Sequence, residues 1–143
     1  MPTRNATAVW QGGLAKGTGS FTGQTGLGGQ YNFSSRFENG AGSNPEELLA
    51  AAEAACYSMA LSAGLEKEGF VPTKVETKAA CTVEKVGAGF KITRMVLTVS
   101  AQVPGIDEAK FQAVALATKE GCPVSSALEG NVQIDLSATL ATR

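Results

Sequence analysis

Apolar and polar positions along this chain repeat with two different periods, and the two periods divide it into strands and helices. From Val75 the odd positions read Val75, Thr77, Ala79, Cys81 and Val83, with Lys74, Glu76, Lys78 and Glu84 on the other side. That alternation predicts a strand with one buried face. Gly87-Ala88-Gly89 is a turn. Phe90 and Ile92 then run in one phase and Met95, Leu97, Val99 and Ala101 in the other, which predicts a bulge near Thr93–Arg94. Pro104-Gly105 ends that strand. Val132, Ile134, Leu136, Ala138 and Leu140 alternate as a last one.

Residues 3–33 read as short strands in a meander punctuated by glycine, and residues 34–44 as a polar loop containing Arg36. A long helix follows. Asn44 can cap it, Pro45 suits its first position, and Glu47 falls three residues after the cap, the spacing of a capping box. It is predicted from Pro45 to about Glu68, with Gly69 as its stop. Between Leu48 and Leu65 it is apolar nearly all round, so it is expected to be buried on every face, with a second subunit covering the side a sheet leaves open. Asp107 to Glu120 predicts another helix, and Pro123 to near Gly130 a short one. The order is three strands, a long helix, two strands, two helices and one strand: an α+β fold, read as a single domain over residues 1–143.

Composition narrows the function. A formal net charge of −1 with scattered Lys and Arg favours neither nucleic acid nor an anionic membrane surface. The N-terminus lacks the apolar core of a signal peptide, and no uninterrupted apolar run is long enough to span a bilayer, so a cytoplasmic location is expected. Gly17-Thr18-Gly19-Ser20 lacks the Lys of a phosphate-binding loop and reads as a turn. The chain has no histidine, which removes Cys–His dyads, Ser–His–Asp triads and His-based metal sites. Its three cysteines include no Cys-x-x-Cys pair, so neither a zinc site nor a thioredoxin-type motif is expected.

Two thiols remain as candidate chemistry. Cys56 lies among alanines in the long helix, where burial alone makes it a small core hydrophobe. A reactive Cys56 needs a cation from elsewhere, and Arg36 is the best candidate; Glu53, one turn before it, would disfavour the thiolate. Cys122 sits between Gly121 and Pro123, where a helix start favours the thiolate, or it is a structural turn cysteine. Cys81 faces inward on a strand and reads as core. Glu47 reads either as the capping-box partner or as a functional carboxylate.

The stretches Ser35-Arg36-Phe37-Glu38, Asn44-Pro45-Glu46-Glu47-Leu48 running on to Ala55-Cys56-Tyr57-Ser58, Val103-Pro104-Gly105-Ile106-Asp107 and Gly121-Cys122-Pro123-Val124-Ser125 closely resemble the OsmC/Ohr family of thiol-dependent peroxidases. The likeness runs nearly end to end, and Val-Pro-Gly-Ile-Asp favours the OsmC branch. The resemblance implies an intertwined homodimer of antiparallel sheets around long central helices. It implies reduction of hydroperoxides, organic ones preferred, without metal, flavin or haem, and a dithiol reductant such as a dihydrolipoyl group on a protein. It assigns attack to Cys56, resolution to Cys122 through a disulfide, activation of the thiolate to Arg36, and support of that arginine to Glu47. Glu53 departs from the pattern, standing where such sequences often have His. On one helix Glu47 and Cys56 are nine residues apart, roughly half a turn out of phase, so Glu47 would have to serve Cys56 of the partner subunit. A peroxide-sensing dithiol protein and a carrier of apolar ligands, both without turnover, are the alternatives.

Overall fold

The structure, a computed structural model, describes residues 1–142 and groups them into two compact units, Met1–Leu48 and the chain from Leu49 onward. In the first, β1 (Ala6–Gln11), β2 (Thr18–Gly23) and β3 (Gly28–Tyr31) form an antiparallel meander. Trp10 and Phe21 pack against Tyr31, with ring centroids 5.5 and 6.1 Å apart. A side chain at Gly19 would meet the Tyr31 ring at 2.6 Å and the Trp10 ring at 2.7 Å, so this aromatic stack depends on the glycine.

The segment expected to be a polar loop contains a helix, α1 (Phe33–Phe37). Asn32 caps it: its side chain accepts from the Ser35 N–H at 2.8 Å, and the Ser35 hydroxyl accepts from the Asn32 N–H at 2.9 Å. This reciprocal box stabilises a turn too short to show a helical period.

Helix α2 (Pro45–Lys67) starts where the cap signal placed it and ends before Gly69, whose φ of 94° closes it. By length and mean hydropathy α2 could cross a membrane. One stripe of it, Tyr57, Leu61 and Leu65, instead enters the core of the second unit. The expectation of burial on every face does not hold within one chain: Ala51, Ala52, Ala55, Met59 and Ala63, on the side away from Tyr57, are exposed. Alanine side chains make most of this far side apolar.

β4 (Lys74–Val86) and β5 (Gly89–Gln102) pair antiparallel. Thr82 pairs with Arg94 and Val83 with Ile92, leaving Thr93 as the extra residue of the bulge the phase change predicted. The bulge turns Met95, Leu97, Val99 and Ala101 inward, all at most 1% exposed. Helices α3 (Glu108–Gly121) and α4 (Pro123–Leu128) return the chain to β6 (Gln133–Thr142), which lies parallel to β5, with Leu97 beside Leu136 and Val99 beside Ala138. The second sheet is therefore mixed rather than antiparallel, because a helical crossover brings the following strand back in the same direction. Phe111 and Ala115 of α3 complete the core, with Cys81 of β4 packed at its side.

Candidate functional site

In the second unit, the helix cap signals bring the two expected thiols together. Asp107 caps α3, accepting from the Lys110 N–H at 2.8 Å. The helix ends at Gly121, and Pro123 opens α4, so Cys122 is the C-cap of one helix and the N-cap of the next. Its backbone is thereby fixed and its side chain fully buried. Cys56, half-buried, lies beside the buried stripe of α2. The Cys122 thiol donates to the Cys56 sulfur at 3.0 Å, both cysteines being reduced. Cys81, on β4, is not part of this pair.

The surroundings set the charge of the pair. Burial first, and the hydrogen bond with Cys122 second, push the Cys56 thiol above its ordinary range. The Val124 backbone N–H pulls it down, while the charges of Cys122 and Glu53 push it up further. Tyr57 stands next to Cys56 in sequence, fully buried, and donates to the Ala115 carbonyl at 2.8 Å. Burial, and then the charge of Cys122, push its phenol well up, so it stays protonated. Among the described residues of this unit, no cation opposes these effects, and they favour the neutral thiol.

The first unit holds the guanidinium. Arg36, on α1, binds Glu46 through Nε at 3.1 and 3.3 Å and through Nη2 at 2.9 Å. The Glu46 side chain is 6% exposed and the Arg36 side chain 34%. The expectation that Glu47 holds this arginine is corrected. The Glu47 N–H donates to the Asn44 side chain at 2.8 Å, and the Glu47 carboxylate accepts from the Ser43 hydroxyl. Neighbouring residues point roughly 100° apart on a helix, so only one of the two glutamates can face Arg36. Arg36 also lies over the Phe37 ring, 5.0 Å from its centroid. A pocket of about 290 Å³ beside it is lined by Trp10, Leu14, Tyr31, Asn32, Arg36 and Phe37.

The structure thus joins Cys56 to Cys122 in one unit and Arg36 to Glu46 in the other. Sequence reasoning missed Glu46 and Ser125. Ser125 is 2% exposed, and its hydroxyl donates to Oε1 of Glu53, itself fully buried. The spacing of three residues from Cys122 to Ser125 on a short helix was the available signal. Among the described residues, no group of three His, Cys, Asp or Glu side chains is placed to hold a metal ion.

Residues 38–137 match the family model described as OsmC-like protein. The chain is 42% identical to Peroxiredoxin OsmC of Escherichia coli strain K12 over 134 residues, which is 92% of this chain and 94% of that one. It is 35% identical to an organic hydroperoxide resistance protein of Xanthomonas axonopodis pv. citri, over 71% of this chain and 69% of that one. Among solved structures, the organic hydroperoxide resistance protein OhrB of Bacillus subtilis superimposes with a TM-score of 0.74 at 28% identity, covering 94% of this chain and 98% of that one.

Proposed function

Because this chain belongs to the OsmC-like family, and because a thiol on α2 meets a buried thiol at the junction of α3 and α4, we propose that it is a thiol-dependent peroxidase that reduces organic hydroperoxides. The observation that carries the reading is the 3.0 Å contact between Cys56 and Cys122, thiols 66 positions apart in the chain. Cys56 thiolate attacks one peroxide oxygen and releases an alcohol, becoming a sulfenic acid. Cys122 condenses with it to a disulfide and water, and a dithiol such as a protein-bound dihydrolipoyl group reopens the bond by exchange. Arg36, held by Glu46, supplies the cation the thiol lacks. Its planar fork can face a carboxylate and a sulfur together, and it stabilises the charge developing on the departing oxygen. The apolar pocket beside Arg36 suits an alkyl or aryl peroxide, which buries surface that hydrogen peroxide does not have. The whole chain acts as one such domain, in the reducing cytoplasm.

The working form in this reading is a two-fold homodimer. Glu46 and Cys56 are ten residues apart on one helix, a rise of about 15 Å, with an angular offset of roughly 80°. With Glu46 as the arginine's partner, the axial separation rather than a half-turn offset sets the pair apart from Cys56 of the same helix. The Arg36–Glu46 pair would then serve Cys56 of the partner subunit, and the exposed alanine face of α2, with Met59 at 79% exposure, would be covered on dimerisation. Steady-state loss of cumene hydroperoxide with dihydrolipoamide tests the reading. Sustained turnover, faster than with hydrogen peroxide, is expected. One equivalent consumed and no more would identify a sensor, and no consumption would contradict peroxide chemistry altogether.

A further inference from the structure

Two contacts join the same two helices side by side. Cys56 and Glu53 are three residues apart on α2, and Cys122 and Ser125 are three residues apart around the start of α4. Cys122 reaches Cys56, and Ser125 reaches Glu53. Residues at that spacing lie on one helix face, about 5–6 Å apart at their Cβ atoms, so the carboxyl stands one rung from the thiol pair. Glu53 is fully buried. Oε1 takes the Ser125 hydroxyl, whereas Oε2 is buried with no hydrogen-bond partner among the described residues. A buried carboxylate with one oxygen unsatisfied is a costly arrangement, relieved when that oxygen takes a proton or receives a hydrogen bond.

The peroxidase cycle has a step with that need. Condensation removes a proton from Cys122 and delivers one to a departing hydroxide. There is no histidine to carry it. Among the described residues, the other buried titratable groups of this unit are Cys122 itself and Tyr57, whose proton is committed to the Ala115 carbonyl.

We propose that Glu53 carries the proton of the resolving step, accepting it from Cys122 and handing it to the hydroxyl that leaves Cys56. The inference rests on the peroxidase reading above. As the Cys122 sulfur attacks the Cys56 sulfur, the S–S bond forms and the S–O bond breaks, its electron pair leaving with oxygen. The Cys122 thiol is oxidised and the sulfenic sulfur reduced. The proton lost by Cys122 leaves as part of water, and Glu53 ends as it began. Ser125 occupies Oε1, which leaves Oε2 as the oxygen free to take the proton.

The test is a single turnover of the full-length protein with one equivalent of cumene hydroperoxide, followed by quenching. Sulfenic acid is read as its dimedone adduct, and the disulfide and sulfinic acid by mass spectrometry. Glu53→Gln keeps the shape and can accept from Ser125 but cannot shuttle a proton. It should form sulfenic acid at least as fast as the parent, because a negative charge beside Cys56 is gone. Disulfide formation should slow by roughly 100-fold, within the range of general acid–base effects. Sulfinic acid should accumulate, and Glu53→Asp should recover part of the rate. A disulfide step in Glu53→Gln within threefold of the parent, or a Glu53→Asp no faster than Glu53→Gln, overturns the inference. Should Glu53→Gln fail to fold, the parent is run in D2O: slowing of the disulfide step by twofold or more supports the proton transfer, and an unchanged rate overturns it. Absence of sulfenic acid in the parent would instead be a failure of the peroxidase reading.

Discussion

At the scale of single residues, the chemistry turns on how a buried thiol acquires charge. Cys56 by itself is held neutral by burial and by the sulfur and carboxyl beside it. Its thiolate fraction therefore rises with pH through and beyond the ordinary thiol range, about pH 8.5, unless a cation intervenes. If Arg36 is that cation, Arg36→Met should move the iodoacetamide profile of Cys56 to higher pH. It should also slow peroxide attack at neutral pH by at least about tenfold, with recovery at alkaline pH. Arg36→Lys should rescue poorly, since an ammonium lacks the planar fork that meets both Glu46 oxygens. Glu46→Gln should resemble Arg36→Met, whereas Glu47→Gln should lose only a weak cap contribution. Equal effects of the two glutamine substitutions would contradict the ion pair's role. The identity of this glutamate was not legible in the sequence. Asn44, Pro45 and Glu47 announce a helix start, but which of two adjacent carboxylates meets an arginine depends on where α1 lies, and α1 itself was hidden in a five-residue turn.

At the scale of elements, α2 and its partners explain what could be read and what could not. Periodicity disclosed the helix bounds, the inward phase of β5 and the bulge at Thr93, because each is a local consequence of which side chains avoid water. The parallel pairing of β6 with β5 depends on the path of α3 and α4, which an alternating pattern does not record. Burial on only one stripe of α2 was equally hidden, since alanine carries no mark of which face is covered. That stripe is the structural support of the thiol. Leu61→Ala should destabilise the protein by about 2–5 kcal/mol through the cavity it leaves in a fully buried position. Tyr57→Phe should cost about 0.5–1.5 kcal/mol by removing its hydrogen bond to the Ala115 carbonyl. Denaturant unfolding of the reduced protein measures both, and losses under 0.5 kcal/mol, about the size of a surface substitution, would show that this core does not hold the site.

At the scale of the whole molecule, the proposed homodimer would make the two subunits cooperate. Mixed Cys56→Ser and Glu46→Ala proteins, each inactive alone, should regain activity once subunits exchange, because each heterodimer reassembles one intact combination of thiol and supported arginine. A verified heterodimer without recovery would place arginine and thiol within one chain. The central claim is that Cys56 and Cys122 form one reacting pair, and anaerobic titration of the reduced protein with cumene hydroperoxide followed by peptide mapping tests it most directly. One equivalent per chain should convert the 3.0 Å thiol contact into a Cys56–Cys122 disulfide. Cys122→Ser should stop at the sulfenic acid or over-oxidise to sulfinic acid, and Cys81→Ser should behave like the parent. Peroxide consumption that persists in Cys56→Ser, or a disulfide that includes Cys81, would contradict it.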